Sequence, residues 1–171
     1  MNLRLPGRTL NFPRRPLLMG IVNVNDDSFS GDGTLDAGEA LEQACAQVEA
    51  GADIVDIGAE SARTNRAAIT VEEECSRLRA VLQRWGEVLL RVKPRDPEQV
   101  WPPVLSINTW RSAVVADALD LGGELINDMS GLPDDSNARL VAGSGAALLL
   151  LGGGNQVVKV LQGIVDGSGR T

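Results

Sequence analysis

Asn23, Asn108 and Asn127 stand in or at the end of apolar runs, and Arg63 follows another such run by a few residues. Amides and a guanidinium in such places can grip a flat, multiply hydrogen-bonding ligand that carries an anionic tail. A buried amide left without partners costs about 1–3 kcal/mol, and such a ligand would supply them. Around these residues the chain sets further polar groups: "NDDSFSGDG" from Asn25, Glu60 and Ser61 before Arg63, Thr109 after Asn108, and Asp128 and Ser130 after Asn127. Asn, Asp, Ser and Gly are also ordinary turn formers and helix N-caps, so any one position has a purely structural reading. Histidine is absent altogether. Ser-His-Asp, Cys-His and His-ligated zinc chemistry are therefore excluded for this chain acting alone.

The elements that must position these residues read as a series. The apolar runs at 17–22, 52–58, 104–108, 124–128 and 146–154 suit strands covered on both faces. Between them, residues 35–50 carry Ala37, Leu41, Ala44, Cys45 and Val48 at helical spacing, and Gly51 is placed to close that helix. Thr70 followed by "VEEE" predicts a capped helix whose stripe is Val71, Cys75, Leu78, Val81, Leu82 and Trp85. Residues 111–121 and 136–142 read as two more helices, and the tail after 154 as a helical turn. Residues 86–103 carry prolines and read as an irregular insertion in a single domain spanning 1–171.

Strand, loop and helix in repetition predict a parallel sheet with right-handed crossovers. Two architectures fit, an open doubly wound sheet or a (β/α)8 barrel cut short, and the pattern alone does not choose. In either, the ends of the strands share one rim, where ligands bind.

Composition narrows the function. The 171 residues are 43% hydrophobic, which predicts a folded domain rather than disorder. A net charge of −7 argues against nucleic acid as a partner. Neither an 18-residue apolar span nor a secretory pattern occurs, so the expectation is a soluble, cytoplasmic protein without a membrane partner. Cys45 and Cys75, the two cysteines, are expected to be small buried hydrophobes.

Five ordered stretches carry a resemblance. "MGIVNVNDDSFSGDG", "GADIVDIGAESARTN" with the following "VEEE", "SINTW" and "INDMSG" are similar to the motifs of the dihydropteroate synthase family, and "LNFPRRPLLMG" resembles its N-terminal hairpin. The resemblance spans about residues 8–150 and resolves the architecture. It implies an α/β parallel barrel of TIM type, incomplete, with about five of eight βα units in this chain. The implied activity is a transferase of folate biosynthesis. It condenses p-aminobenzoate with 6-hydroxymethyl-7,8-dihydropterin diphosphate and releases diphosphate, with Mg2+ as cofactor.

By position, the resemblance makes Asn23 the metal-associated residue and Asn127 a pterin-binding one. It makes Arg63 a catalytic and binding residue of the second loop, and sets Ser28 and Phe29 in the first loop around the aminobenzoate. Asn108 matches a catalytic and pterin-binding aspartate, and Ala62 matches a substrate-touching threonine. An amide at 108 carries no charge and offers one acceptor oxygen. Losing a charge-assisted bond there slows the reaction by about 10- to 100-fold. Asn25-Asp26 stands where the family has Thr-Pro, and "LLLLGGG" where it has a histidine-bearing segment. Asp56 is read as a structural residue near the site. The later pterin- and diphosphate-binding motifs are absent, which implies a fragment of a longer chain, a second chain completing the barrel, or a half-barrel that self-associates as a homodimer. Two alternatives are a pterin-binding protein lacking synthase activity and a relative of the folate-dependent methyltransferases.

Overall fold

Residues with Cβ branches and no polar atoms crowd into the runs "IVDIG" and "VLSIN", and every residue of the first of these is buried. A computed structural model describes residues 2–11, 15–26, 33–60, 68–151 and 158–161. Its elements are β1 (Asn2–Leu5), β2 (Arg8–Asn11), β3 (Met19–Asn23), α1 (Ala37–Glu49), β4 (Ile54–Gly58), α2 (Val71–Leu82) and α3 (Trp85–Arg91). They continue with β5 (Val104–Asn108), α4 (Ser112–Asp120), β6 (Leu125–Asp128), α5 (Ser136–Ser144), β7 (Ala147–Leu151) and β8 (Val158–Leu161).

The sheet runs β3-β4-β5-β6-β7-β8. Its first five strands are parallel, each joined to the next across a helical crossover, and β8 turns back antiparallel to β7. This is an arc of a barrel, with β3 paired on one side only among the described residues. The tail is thus a strand at 158–161 rather than the helical turn that the sequence suggests. Residues 86–103 are not irregular throughout either, because Trp85–Arg91 form a helix of their own.

Alternation along each strand separates two cores. On the outer face Val22, Val55, Ile57, Leu105, Ile107, Ile126 and Leu148 pack against helix residues that include Leu41, Val48, Leu78, Val81, Val115 and Val141. Cys45 and Cys75 are buried in this layer, and burial pushes both thiols up from their ordinary range. On the inner face Ile54, Val104, Leu125 and Ala147, the first residues of their strands or next to them, meet Leu3 and Leu5 of the β1–β2 hairpin. That hairpin lies at residues 2–11, so the resembling segment holds only the end of its second strand, and Gly7 supplies the positive φ (72°) its turn requires. Arg8 fastens it through a bidentate pair with Glu124, Nε to Oε1 at 2.8 Å and Nη2 to Oε2 at 2.7 Å.

The hairpin therefore plugs the end of the barrel where strands begin and leaves the opposite end of the inner face open. Ile21, which belongs to that face, is 54% exposed. Local signals hold the helices in register: Asp36 accepts the N–H of Glu39 and Thr70 that of Glu73, while three glutamates open α2 at the positive end of its dipole. Asp53, just before β4, ties the strand starts together. Burial alone would raise its carboxyl, but Arg15 and the N–H groups of Leu18 and Val100 outweigh that and hold it below its usual range.

Candidate functional site

Register brings the strand-end polar residues into one line. Asn23 aligns with Gly58, Gly58 with Asn108, Asn108 with Asn127, and Asn127 with Leu149. In parallel strands such a row shares one face, here the inner one, at the end away from the hairpin plug. Asn23, Asn108 and Asn127 thus stand together on the rim, as their spacing suggests. Gly58 keeps the row shallow between Asn23 and Asn108, since a Cβ there would sit 3.3 Å from Cβ of Asn108.

One layer below, Asp56 aligns with Ser106. Asp56 is 2% exposed and Ser106 is fully buried. Three donors converge on the carboxylate: Ser106 Oγ reaches Oδ1 at 2.5 Å, and Oδ2 accepts from Asn127 Nδ2 at 2.8 Å and Asn108 Nδ2 at 3.3 Å. Burial pushes this carboxyl up, and the three hydrogen bonds pull it back only in part. Asn108 Nδ2 also donates to Sδ of the half-exposed Met129 at 3.1 Å, so one of its N–H groups points down to Asp56 and the other along the rim. Asn127 is 6% exposed, and its Oδ1 is buried with no hydrogen-bond partner. The site therefore holds a pair of amides turned with N–H groups toward a carboxylate, and at least one orphaned acceptor oxygen.

Asp128 does not join them. The pleat turns it to the helix side, in line with Leu150, where Oδ1 accepts from the N–H and hydroxyl of Ser130 and Oδ2 from Asn137 Nδ2. Thr109 is fully buried and its hydroxyl accepts from the N–H of Arg111, 3.4 Å away. Both residues shape the loops behind the rim instead of facing a ligand.

A second cluster that sequence reasoning misses flanks the rim. Arg111 pairs with Glu60 (Nη1–Oε2 2.7 Å, Nη2–Oε1 3.0 Å) and Glu74, donates to the carbonyl of Ile69, and lies over the Trp110 ring at 4.7 Å. The hydrogen bonds that it donates to Glu60 first, and to Glu74, raise the guanidinium further. Glu60 Oε1 also accepts the N–H of Ile69 at 3.0 Å, so this cluster ties the end of β4 to the segment that leads into α2. Arg63 itself, with Ala62, Ser28 and Phe29, lies outside the described residues.

Among the described residues, no group of three or more His, Cys, Asp or Glu is arranged to hold a metal, and no helix is long and apolar enough to cross a membrane.

Comparison with known proteins agrees with the barrel arc. Residues 19–156 match the model of a family described as pterin binding enzymes. A probable bifunctional folylpolyglutamate synthase/dihydropteroate synthase of Haloferax volcanii is 36% identical over 135 residues, which is 78% of this chain and 15% of that protein. The dihydropteroate synthase of Yersinia pestis, solved in a sulfonamide drug complex, superposes with a TM-score of 0.71 at 32% identity, over 91% of this chain and 52% of that one. That of Coxiella burnetii, solved with pteroic acid, does so with a TM-score of 0.69 at 30% identity, over 86% and 48%. The chain thus spans about half the length of the synthases it resembles.

Proposed function

The chain belongs to the pterin-binding enzyme family, and from that membership we propose that it acts as a dihydropteroate synthase-type transferase in the cytoplasm. The observation that carries the reading is the buried Asn127 Oδ1, left without a partner beside the Asp56 carboxylate and in line with Asn108. A pterin ring is flat and bears N–H donors along its edge, and it satisfies that oxygen. The charged tail of the ligand extends toward Asn23 and the loops bearing Arg63, Ala62, Ser28 and Phe29.

In the reaction, the bond between the pterin methylene carbon and the diphosphate oxygen breaks and the oxygen keeps the electron pair. The amine of p-aminobenzoate then forms the new carbon–nitrogen bond and gives up a proton. Acceptor oxygens facing the ring stabilise the positive charge that grows on it. Mg2+ typically takes only one or two protein oxygens and completes its shell with substrate phosphate and water, so a single amide oxygen at the diphosphate end of the rim is compatible with it. Asn23 would hold it, and its contribution when bound is to neutralise the leaving diphosphate.

The open arc calls for a partner. A parallel edge and a half-exposed inner face are covered, in this reading, by the remaining βα units of the barrel or by a second copy. One observation favours a second function. Asn108 presents an uncharged amide at the centre of the site, which fits pterin binding without fast turnover.

Calorimetric titration of the full chain with 6-hydroxymethyl-7,8-dihydropterin diphosphate tests the proposal. Saturable binding is expected, and Asn127→Leu should weaken it by about 10- to 100-fold. A wild-type chain that does not bind the pterin would remove it.

A further inference from the structure

We propose that Asp56 is the positioning residue of this rim: by accepting an N–H from each of Asn127 and Asn108 on a single carboxylate oxygen, it turns the amides so that they offer a ligand acceptor oxygens, which select hydrogen-bond donors. The inference rests on the pterin reading and adds to it the cause of the chemical preference.

A side-chain amide has two nearly isosteric orientations, one offering oxygen outward and one offering N–H. Nothing in the shape of Asn127 chooses between them. The neighbour below does, because Oδ2 of Asp56 stands there as an acceptor for both N–H groups. Oδ2 of Asp56 takes Asn127 Nδ2 at 2.8 Å and Asn108 Nδ2 at 3.3 Å, while Oδ1 is held by Ser106 Oγ at 2.5 Å. Ser106 thus anchors one oxygen of the carboxylate and leaves the other to serve both amides. The outcome is visible at Asn127, whose Oδ1 faces away from Asp56, buried and unpartnered. A ligand edge that offers an acceptor there would set two lone pairs against each other. Sites built to hydrogen-bond a group reject analogues that lack it.

Substitutions at Asp56 separate orientation from mere support. In Asp56→Asn the amide oxygen takes the place of Oδ2 and its NH2 donates to the Ser106 hydroxyl, so both neighbouring amides keep their orientation. In Asp56→Leu, of similar size, the acceptor is gone and the amides are free to flip. The probes are 6-hydroxymethylpterin and 6-hydroxymethyllumazine, in which a carbonyl acceptor replaces the 2-amino donor.

With the full chain, wild type and Asp56→Asn should both prefer the pterin by about tenfold or more. In Asp56→Leu that ratio should collapse to within about threefold. Asp56→Ala, with water in place of the carboxylate, should give the same collapse and serves where Asp56→Leu does not fold. A residue that only supports the fold would weaken both ligands equally, so an unchanged ratio in the folded Leu or Ala variant overturns the inference and leaves the pterin reading standing. Binding of neither ligand by the wild type overturns the pterin reading itself, and the inference with it.

Discussion

Asn108→Asp is expected to raise diphosphate release from the dihydropterin diphosphate, in the presence of p-aminobenzoate and Mg2+, by about 10- to 100-fold. A carboxylate at this point of the rim replaces a neutral acceptor with a charged one, and charge-assisted bonds contribute about 1.5–3 kcal/mol against about 1 for a neutral bond. The growing positive charge on the ring makes that difference larger in the transition state than in the ground state. The substitution also builds a carboxyl pair, because Asn108 Nδ2 lies 3.3 Å from Asp56 Oδ2. Two carboxylates so close share one proton. Asp56, already pushed up by burial, is the member that keeps it. The gain should therefore hold while the pair is singly ionised and fade as acid adds the second proton. A pH–rate profile checks this; an Asn108→Asp variant no faster than wild type at any pH would place residue 108 away from the reacting centre.

Arg111→Met should cost about 3–5 kcal/mol of stability, read as a lowered midpoint in denaturant unfolding. Methionine fills much of the space of the arginine stem but leaves the Glu74 side chain, fully buried, and Glu60, 10% exposed, without a counter-charge. It also removes the donor to the Ile69 carbonyl. The size of the penalty comes from the stranded carboxylates more than from the lost attraction, so Arg111→Met combined with Glu74→Gln should recover part of it. Equal losses in the single and double variants would mean that Arg111 acts by packing alone, through its stem and its stacking on Trp110.

Much of the fold was legible because it depends on short-range pattern. Residues 104–108 read as a strand and form one to the residue, and Thr70 caps its helix through a hydroxyl accepting the N–H of Glu73. The α3 helix escaped because Trp85 reads as the end of the α2 stripe, whereas the chain breaks at Gln83–Arg84 and starts again. The rim amides were legible too, since a polar side chain ending an apolar strand needs partners. Asp128 misled because its neighbour Asn127 has the same signal, and only the pleat decides which of two adjacent residues faces inward.

Arg111 could not be found from spacing. Its carboxylates lie 51 and 37 residues away, and only the assembled barrel brings them together. Asp56 carries a signal of its own. A carboxylate in the middle of the fully buried "IVDIG" must have donors, and those donors are the amides that face the ligand.

The most direct measurement is a titration of the nitrogen-15-labelled chain with 6-hydroxymethylpterin, following side-chain NH2 signals. The account predicts saturable shifts for Asn127 and Asn108, which share Asp56. The Gln99 amide, bonded to the Val48 and Ala52 carbonyls near the strand starts, should stay in place. Shifts at Gln99 with the two asparagines unmoved would contradict it.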